Sequence, residues 1–142
     1  LPGLLCNRNL WAHQLDHLAH LADMTVADLA RHDSVAAMAD AVLAESPARF
    51  SLAGLSMGGY VALEVIRRAP HRVARLALLN TSARPDAVEQ TKRREELIRE
   101  SELGTFKGIT PRLLPMMLHE EALDNSLLSA AVFAMAVAAG GG

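Results

Sequence analysis

The stretch Phe50-Ser-Leu-Ala-Gly-Leu-Ser-Met-Gly-Gly-Tyr60 constrains this chain more than any other. Arg49 to Ala53 alternates polar and apolar residues as a strand does. From Tyr60 to Ala69 the apolar residues return at helical spacing. Gly54, Ser56 and Gly58 therefore stand where a strand becomes a helix. A serine at such a turn has its hydroxyl exposed at the tip and its backbone beside a helix N-terminus. Small residues two before and two after let strand and helix approach without a Cβ clash. Gly59 extends that clearance by one residue.

The elements on either side follow from local signals. Leu1 to Cys6 is apolar and broken by Pro2-Gly3, so it reads as the end of a strand entering a loop. Asn7 to Ala22 carries Leu10, Trp11, Leu15, Leu18, Leu21 and Ala22 at helical spacing. Met24 to Leu29 reads as a short strand, favoured by Thr25 and Val26. Asp33-Ser34 caps a helix with Val35, Met38, Ala41 and Val42 on one face, and Ser46-Pro47 stops it. After the serine turn comes a helix over Met57 to Arg68, with Arg67 and Arg68 in the dipole-favoured last turn and Pro70 beyond. Val73 to Leu79 reads as a strand buried on both faces. The order β-α-β-α-β-α-β, with strands this apolar, implies a parallel sheet with helices on both faces. Ligands in such sheets bind beyond the carboxyl ends of the strands, where Leu4, Ser56 and Asn80 fall.

From Arg84-Pro85 onward the pattern changes. Asp86 to Glu102 is densely charged, with Glu89/Arg93, Lys92/Glu96 and Glu95/Arg99 four apart, and reads as an exposed helix. Pro111 to Leu118 reads as a short apolar helix carrying Met116 and Met117. Leu127 to Ala139 has Ser129 as its one polar member before the final glycines. Thirteen residues fall short of the about 20 that span a bilayer, so a buried helix ending at glycine is expected. The division expected is a core over 1–84 and a helical segment over 85–142.

Composition excludes some functions. A net charge of −2 offers no attraction for nucleic acid or an anionic membrane. The single cysteine, Cys6, forms no internal disulfide and suits a reducing, cytoplasmic compartment as a small packed residue. His13, His17 and His20 share a helical face at spacings of four and three. No carboxylate or thiol cluster accompanies them, so a solvated face is expected, with no metal and no other cofactor. His32 and His71 read as surface loop residues. His119 reads as a residue between helices.

Taken together, these residues resemble an α/β-hydrolase of the esterase and lactonase kind, with a helical cap after the sixth strand. Leu1-Pro2-Gly3-Leu4 resembles the family's oxyanion loop, with Pro-Gly in place of the usual His-Gly. Gly54-Leu55-Ser56-Met57-Gly58-Gly59 resembles its nucleophile elbow. Val73 to Asn80 resembles the strand leading to the cap, and the position of Trp11 also fits. The resemblance implies a partial α/β-hydrolase fold in which Ser56 attacks a small ester, lactone or thioester. The backbone N–H groups of Leu4 and Met57 would hold the oxyanion. Backbone donors survive side-chain changes, so Pro2 in place of histidine leaves that hole possible.

The family's order runs serine, acid, histidine, the last two after later strands. No strand is read after Leu79, so the chain is expected to be a fragment of a longer hydrolase with no assigned general base. Asn80 stands where some relatives carry an acid, and it holds no charge. Asp86 is the next carboxylate and reads as a helix N-cap. The alternative expectation is an inactive fragment that binds a ligand or self-associates through an exposed sheet edge.

Overall fold

A computed structural model describes residues 1–104 and 108–140. The chain divides into two compact units, Leu1–Ala83 and Arg84–Gly142.

The first unit is built on two strands and the helix between them. β1 (Phe50–Leu55) and β2 (Val73–Leu79) pair in parallel, with Leu52 opposite Leu76, Gly54 opposite Leu78 and Leu55 opposite Leu79. On the other edge of β1, the Leu1 amino group donates to Ala53 O at 2.6 Å and Leu55 N–H donates to Leu1 O at 3.2 Å. Leu1 thus lies alongside β1, although Leu1 to Cys6 forms no strand.

Three helices follow from the chain order. α1 (Ala12–Leu18) continues a 3₁₀ turn over Arg8–Trp11, in which Asn7 Oδ1 accepts Asn9 N–H at 2.9 Å. It stops short of the expected Ala22, because Leu18 and Leu21 lie exposed with nothing to pack on. α2 (Val35–Glu45) starts as predicted: Ser34 Oγ accepts Ala37 N–H at 3.2 Å. α3 (Met57–Arg68) buries Gly58, Val61, Ala62 and Val65, a stripe at helical spacing. α3 packs on β1 and β2, and α2 packs on α3. The core where they meet comprises Leu29, Met38, Ala39, Val42, Leu52, Val61, Ala62 and Val65. In α2 the buried face is Met38, Ala39 and Val42, displaced from the expected one, and Val35 is exposed.

Two expectations about the sheet fail. Met24–Leu29 forms no strand. Both edges of β1 are taken, by Leu1 and by β2, and the segment pairs with no strand among the described residues; strand propensity alone forms no ladder without a paired neighbour. The segment turns instead at Asp28, whose carboxylate accepts from Ala30 N–H and Arg31 Nε, and it drops Leu29 into the core. Nor is β2 buried on both faces: Leu76, Leu78 and Leu79 are 38%, 42% and 38% exposed. β2 has β1 on one edge, no strand on its other edge among the described residues, and only the flank of α3 above it. What forms is a small parallel sheet of two strands with helices, compatible with part of an α/β fold.

Charged groups fasten the helices to each other and to the sheet. The Arg72 guanidinium donates to Leu43 O (2.9 Å), Ser46 O (2.7 Å), Pro47 O (2.6 Å) and Ala48 O (3.3 Å), and lies 5.5 Å over the Phe50 ring. It thereby satisfies a carbonyl in the last turn of α2 and fixes the approach to β1 from the start of β2. Glu64 accepts from Arg67 at 2.7 and 2.8 Å and from Arg68 at 2.6 Å, and Arg68 also pairs with Asp40 of α2.

The second unit contains helices and, among its described residues, no strand. α4 (Val88–Glu102) is exposed along its length, as its charges require. The i,i+4 pairs do not close: Arg94 reaches Asp86 at 2.6 Å instead. Asp86 is therefore an ion-pair partner and Ala87 is the N-cap residue. Having no side-chain acceptor, Ala87 is capped only through Gln90, which accepts its N–H. 3₁₀ turns over Pro111–Met116 and Glu120–Ala122 lead to α5 (Ser126–Gly140), where Asn125 Oδ1 accepts Leu128 N–H. α5 is not the buried helix expected. It buries Met135 and Ala136 while Leu127 and Val137 are 82% and 76% exposed, because a helix apolar on every face needs neighbours on every face. Met116 and Met117 are exposed too. No helix among the described residues is long and apolar enough to cross a membrane.

The Glu64 cluster gives a pH signature. Hydrogen bonds from Arg67 and then Arg68 hold the Glu64 carboxyl down, from 4.5 to about 2. A carboxylate held low in the folded state stabilises it above the unfolded-state value, and that stability is lost as pH falls through the folded one. Glu64→Gln is therefore expected to lower the melting temperature at pH 7, with the deficit shrinking as pH falls from 4.5 toward 2. A deficit independent of pH would contradict this account.

Candidate active site

Ser56 stands alone between β1 and α3, with φ 52° and ψ −114°. That region costs a residue with a Cβ about 1–3 kcal/mol, so its surroundings must impose it. They do so through the backbone. Ser56 N–H donates to Leu79 O at 3.0 Å, at the end of β2. Ser56 O accepts Gly59 N–H at 2.9 Å and the Thr81 hydroxyl at 2.8 Å.

The glycines flanking Ser56 are required by space. A Cβ on Gly54 would meet the first turn of α3, 2.7 Å from Gly58 C and 2.9 Å from Gly59 N, with Gly58 O nearer still. One on Gly58 would lie 2.5 Å from both Leu1 O and Pro2 O. One on Gly59 would lie 2.5 Å from Thr81 Cγ2. Each therefore marks a separate close approach: strand to helix, Leu1-Pro2 loop to helix, and the segment after β2 to helix.

The loop before α1 lies against the serine. A Cβ on Gly3 would come 3.5 Å from Ser56 Cβ and 3.2 Å from Leu55 Cδ2. Pro2 is fully buried, and Cys6 N–H closes a turn onto Gly3 O at 3.1 Å. Leu5 holds φ 58° in that turn, and the Leu4 side chain points to solvent. Neither Leu4 N–H nor Met57 N–H donates to a backbone carbonyl among the described residues. Trp11 Nε1 is buried with no acceptor among the same residues. Burial raises the Cys6 thiol above its usual value, against a smaller opposing effect from its hydrogen bond with Gly3.

No imidazole or carboxylate hydrogen-bonds Ser56 Oγ among the described residues. Asn80 is exposed with φ 43°. Asp86 and His119 belong to the second unit, where His119 Nδ1 accepts Glu121 N–H at 3.4 Å. His13 and His17 stack at 4.0 Å, with His17 Nδ1 bonded to His13 O. Among the described residues no group of three or more His, Cys, Asp or Glu is placed to hold a metal.

Thr81 is the residue that motif reading passes over. Gly59 was its only trace: a glycine beyond the five-residue pattern signals a neighbour pressing on that turn of helix.

Gly54→Ala is expected to destabilise the protein by about 1–3 kcal/mol, because strand and helix must separate to admit a methyl group. Urea unfolding followed by circular dichroism measures this. Wild-type stability in the variant would show that the approach of β1 to α3 is looser than described.

No family model matches the chain. A pimeloyl-(acyl-carrier protein) methyl ester esterase of Aromatoleum aromaticum is 49% identical to it over 53 residues. Those residues are 37% of this chain and 21% of that protein, so the likeness spans about a fifth of the relative's length.

Proposed function

We propose that this chain carries the nucleophile of a serine hydrolase, Ser56, acting on a small carboxylic ester, lactone or thioester. The observation that carries the reading is the Ser56 backbone. A non-glycine residue is held at φ 52° between a strand and a helix, and close contacts at Gly54, Gly58 and Gly59 surround it. Strain of this kind collects at functional sites. The partial likeness to a methyl ester esterase supports the same class of chemistry.

In this reading Ser56 Oγ adds to the carbonyl carbon and gives up its proton to a general base. The carbonyl oxygen becomes an oxyanion between the N–H groups of Leu4 and Met57. The alcohol or thiol leaves with a proton, and water releases the acid from the acyl-serine. Removing one oxyanion donor in other enzymes costs roughly 3–4 kcal/mol of transition-state stabilisation. The general base is unassigned. The helical segment over 85–142 is taken as the cap segment that the resemblance implies. A cytoplasmic setting, with no cofactor, completes the proposal.

A second reading has its own observations. Among the described residues no base is bonded to Ser56 Oγ, and β2, which exposes Leu76, Leu78 and Leu79, has no strand on its outer edge. An inactive chain that binds ligands or copies of itself fits these facts. Steady-state hydrolysis of p-nitrophenyl acetate separates the two readings. The proposal expects turnover that falls by roughly 10³ or more in Ser56→Ala. A folded protein without turnover, or with turnover unchanged in Ser56→Ala, would overturn it.

A further inference from the structure

We infer that Thr81 is a positioning residue for the oxyanion donor, acting through the peptide unit between Ser56 and Met57. The inference rests on the nucleophile reading of Ser56.

One planar peptide unit carries both groups concerned. Its oxygen is Ser56 O and its N–H belongs to Met57. In a trans peptide the C=O and N–H bonds point in opposite directions, so holding the oxygen aims the hydrogen. Ser56 O is held twice, by Gly59 N–H at 2.9 Å and by Thr81 Oγ1 at 2.8 Å. The Gly59 bond belongs to the start of α3 itself. The Thr81 bond comes from a segment 25 residues away in sequence and ties that peptide to the end of β2.

Three further observations place Thr81 there by construction. The Leu79 carbonyl, two residues earlier, accepts Ser56 N–H at 3.0 Å, so Leu79 and Thr81 grip Ser56 on its N–H and C=O sides. Between them Asn80 takes φ 43°, the turn that brings the Thr81 side chain back toward α3. Gly59 then presses on the Thr81 side chain, so closely that a Cβ at Gly59 would lie 2.6 Å from Thr81 Cβ.

The hydroxyl also polarises the peptide. A carbonyl that accepts a hydrogen bond leaves its own N–H a better donor, as in any hydrogen-bonded chain. An N–H both aimed and polarised before substrate arrives needs no reorganisation when the oxyanion develops.

The test compares Thr81→Val, which keeps the shape and removes the donor, with Thr81→Ser, which keeps the donor. Thr81→Val is expected to lower kcat for p-nitrophenyl acetate roughly tenfold with KM unchanged, and Thr81→Ser to retain kcat. In NMR spectra, the Ser56 carbonyl carbon and Met57 amide nitrogen should shift in Thr81→Val and stay in place in Thr81→Ser. Unchanged kcat in Thr81→Val, while Ser56→Ala abolishes turnover, overturns the inference and leaves the nucleophile reading intact. If the wild type shows no turnover, the nucleophile reading fails and the NMR comparison decides the role of Thr81. Shifts confined to Thr81→Val support it, and equal spectra overturn it.

Discussion

One residue in this protein, Ser56, is held through its backbone from three directions, and the first unit is arranged around it. Ser56 sits at φ 52° because Leu79 O takes its N–H while Gly59 N–H and the Thr81 hydroxyl take its carbonyl. None of these bonds is individually strong, since a neutral hydrogen bond contributes about 1 kcal/mol net. Their joint effect is to leave the serine backbone one conformation. The register of β2 against β1 is what brings Leu79 level with Leu55 and so within reach of Ser56.

Packing supplies the rest of the constraint. Val61 and Val65 are fully buried, and with Leu52, Met38 and Val42 they press α3 onto β1 and α2 onto α3. The glycines let that pressure act at backbone distance. Arg72 links the start of β2 to the last turn of α2 and to the entrance of β1, so the three elements cannot slide independently. A site that must hold a strained residue is thus backed by the best-packed part of the unit. Its exposed parts include β2 from Ala74 to Leu79 and the stretch from Asp16 to Asp23.

The sequence made the strand, turn and helix around Ser56 legible, because each has a local cause. Alternation marks β1, glycines mark the turn, and Val61, Ala62 and Val65 mark the buried face of α3. The Ser34 cap and the stop at Ser46-Pro47 were legible for the same reason. Features that depend on distant partners were not. Met24–Leu29 has strand-forming residues, but no strand among the described residues pairs with it. Leu76 to Leu79 are apolar enough for a buried strand, yet burial needs a covering layer. The grip of Thr81 on Ser56 spans 25 residues and carries no motif. Charge spacing on α4 suggested i,i+4 pairs, but Arg94 found Asp86 just before the helix.

The central claim is that the imposed backbone at Ser56 makes this one serine a nucleophile. Chain-wide labelling with a fluorophosphonate, followed by peptide mass spectrometry, tests it most directly. Such reagents phosphonylate activated serines and pass over ordinary ones. The account predicts a single adduct, on the peptide containing Ser56, formed in the folded protein and lost after denaturation in urea. An adduct at another serine, or none in folded protein, would contradict it.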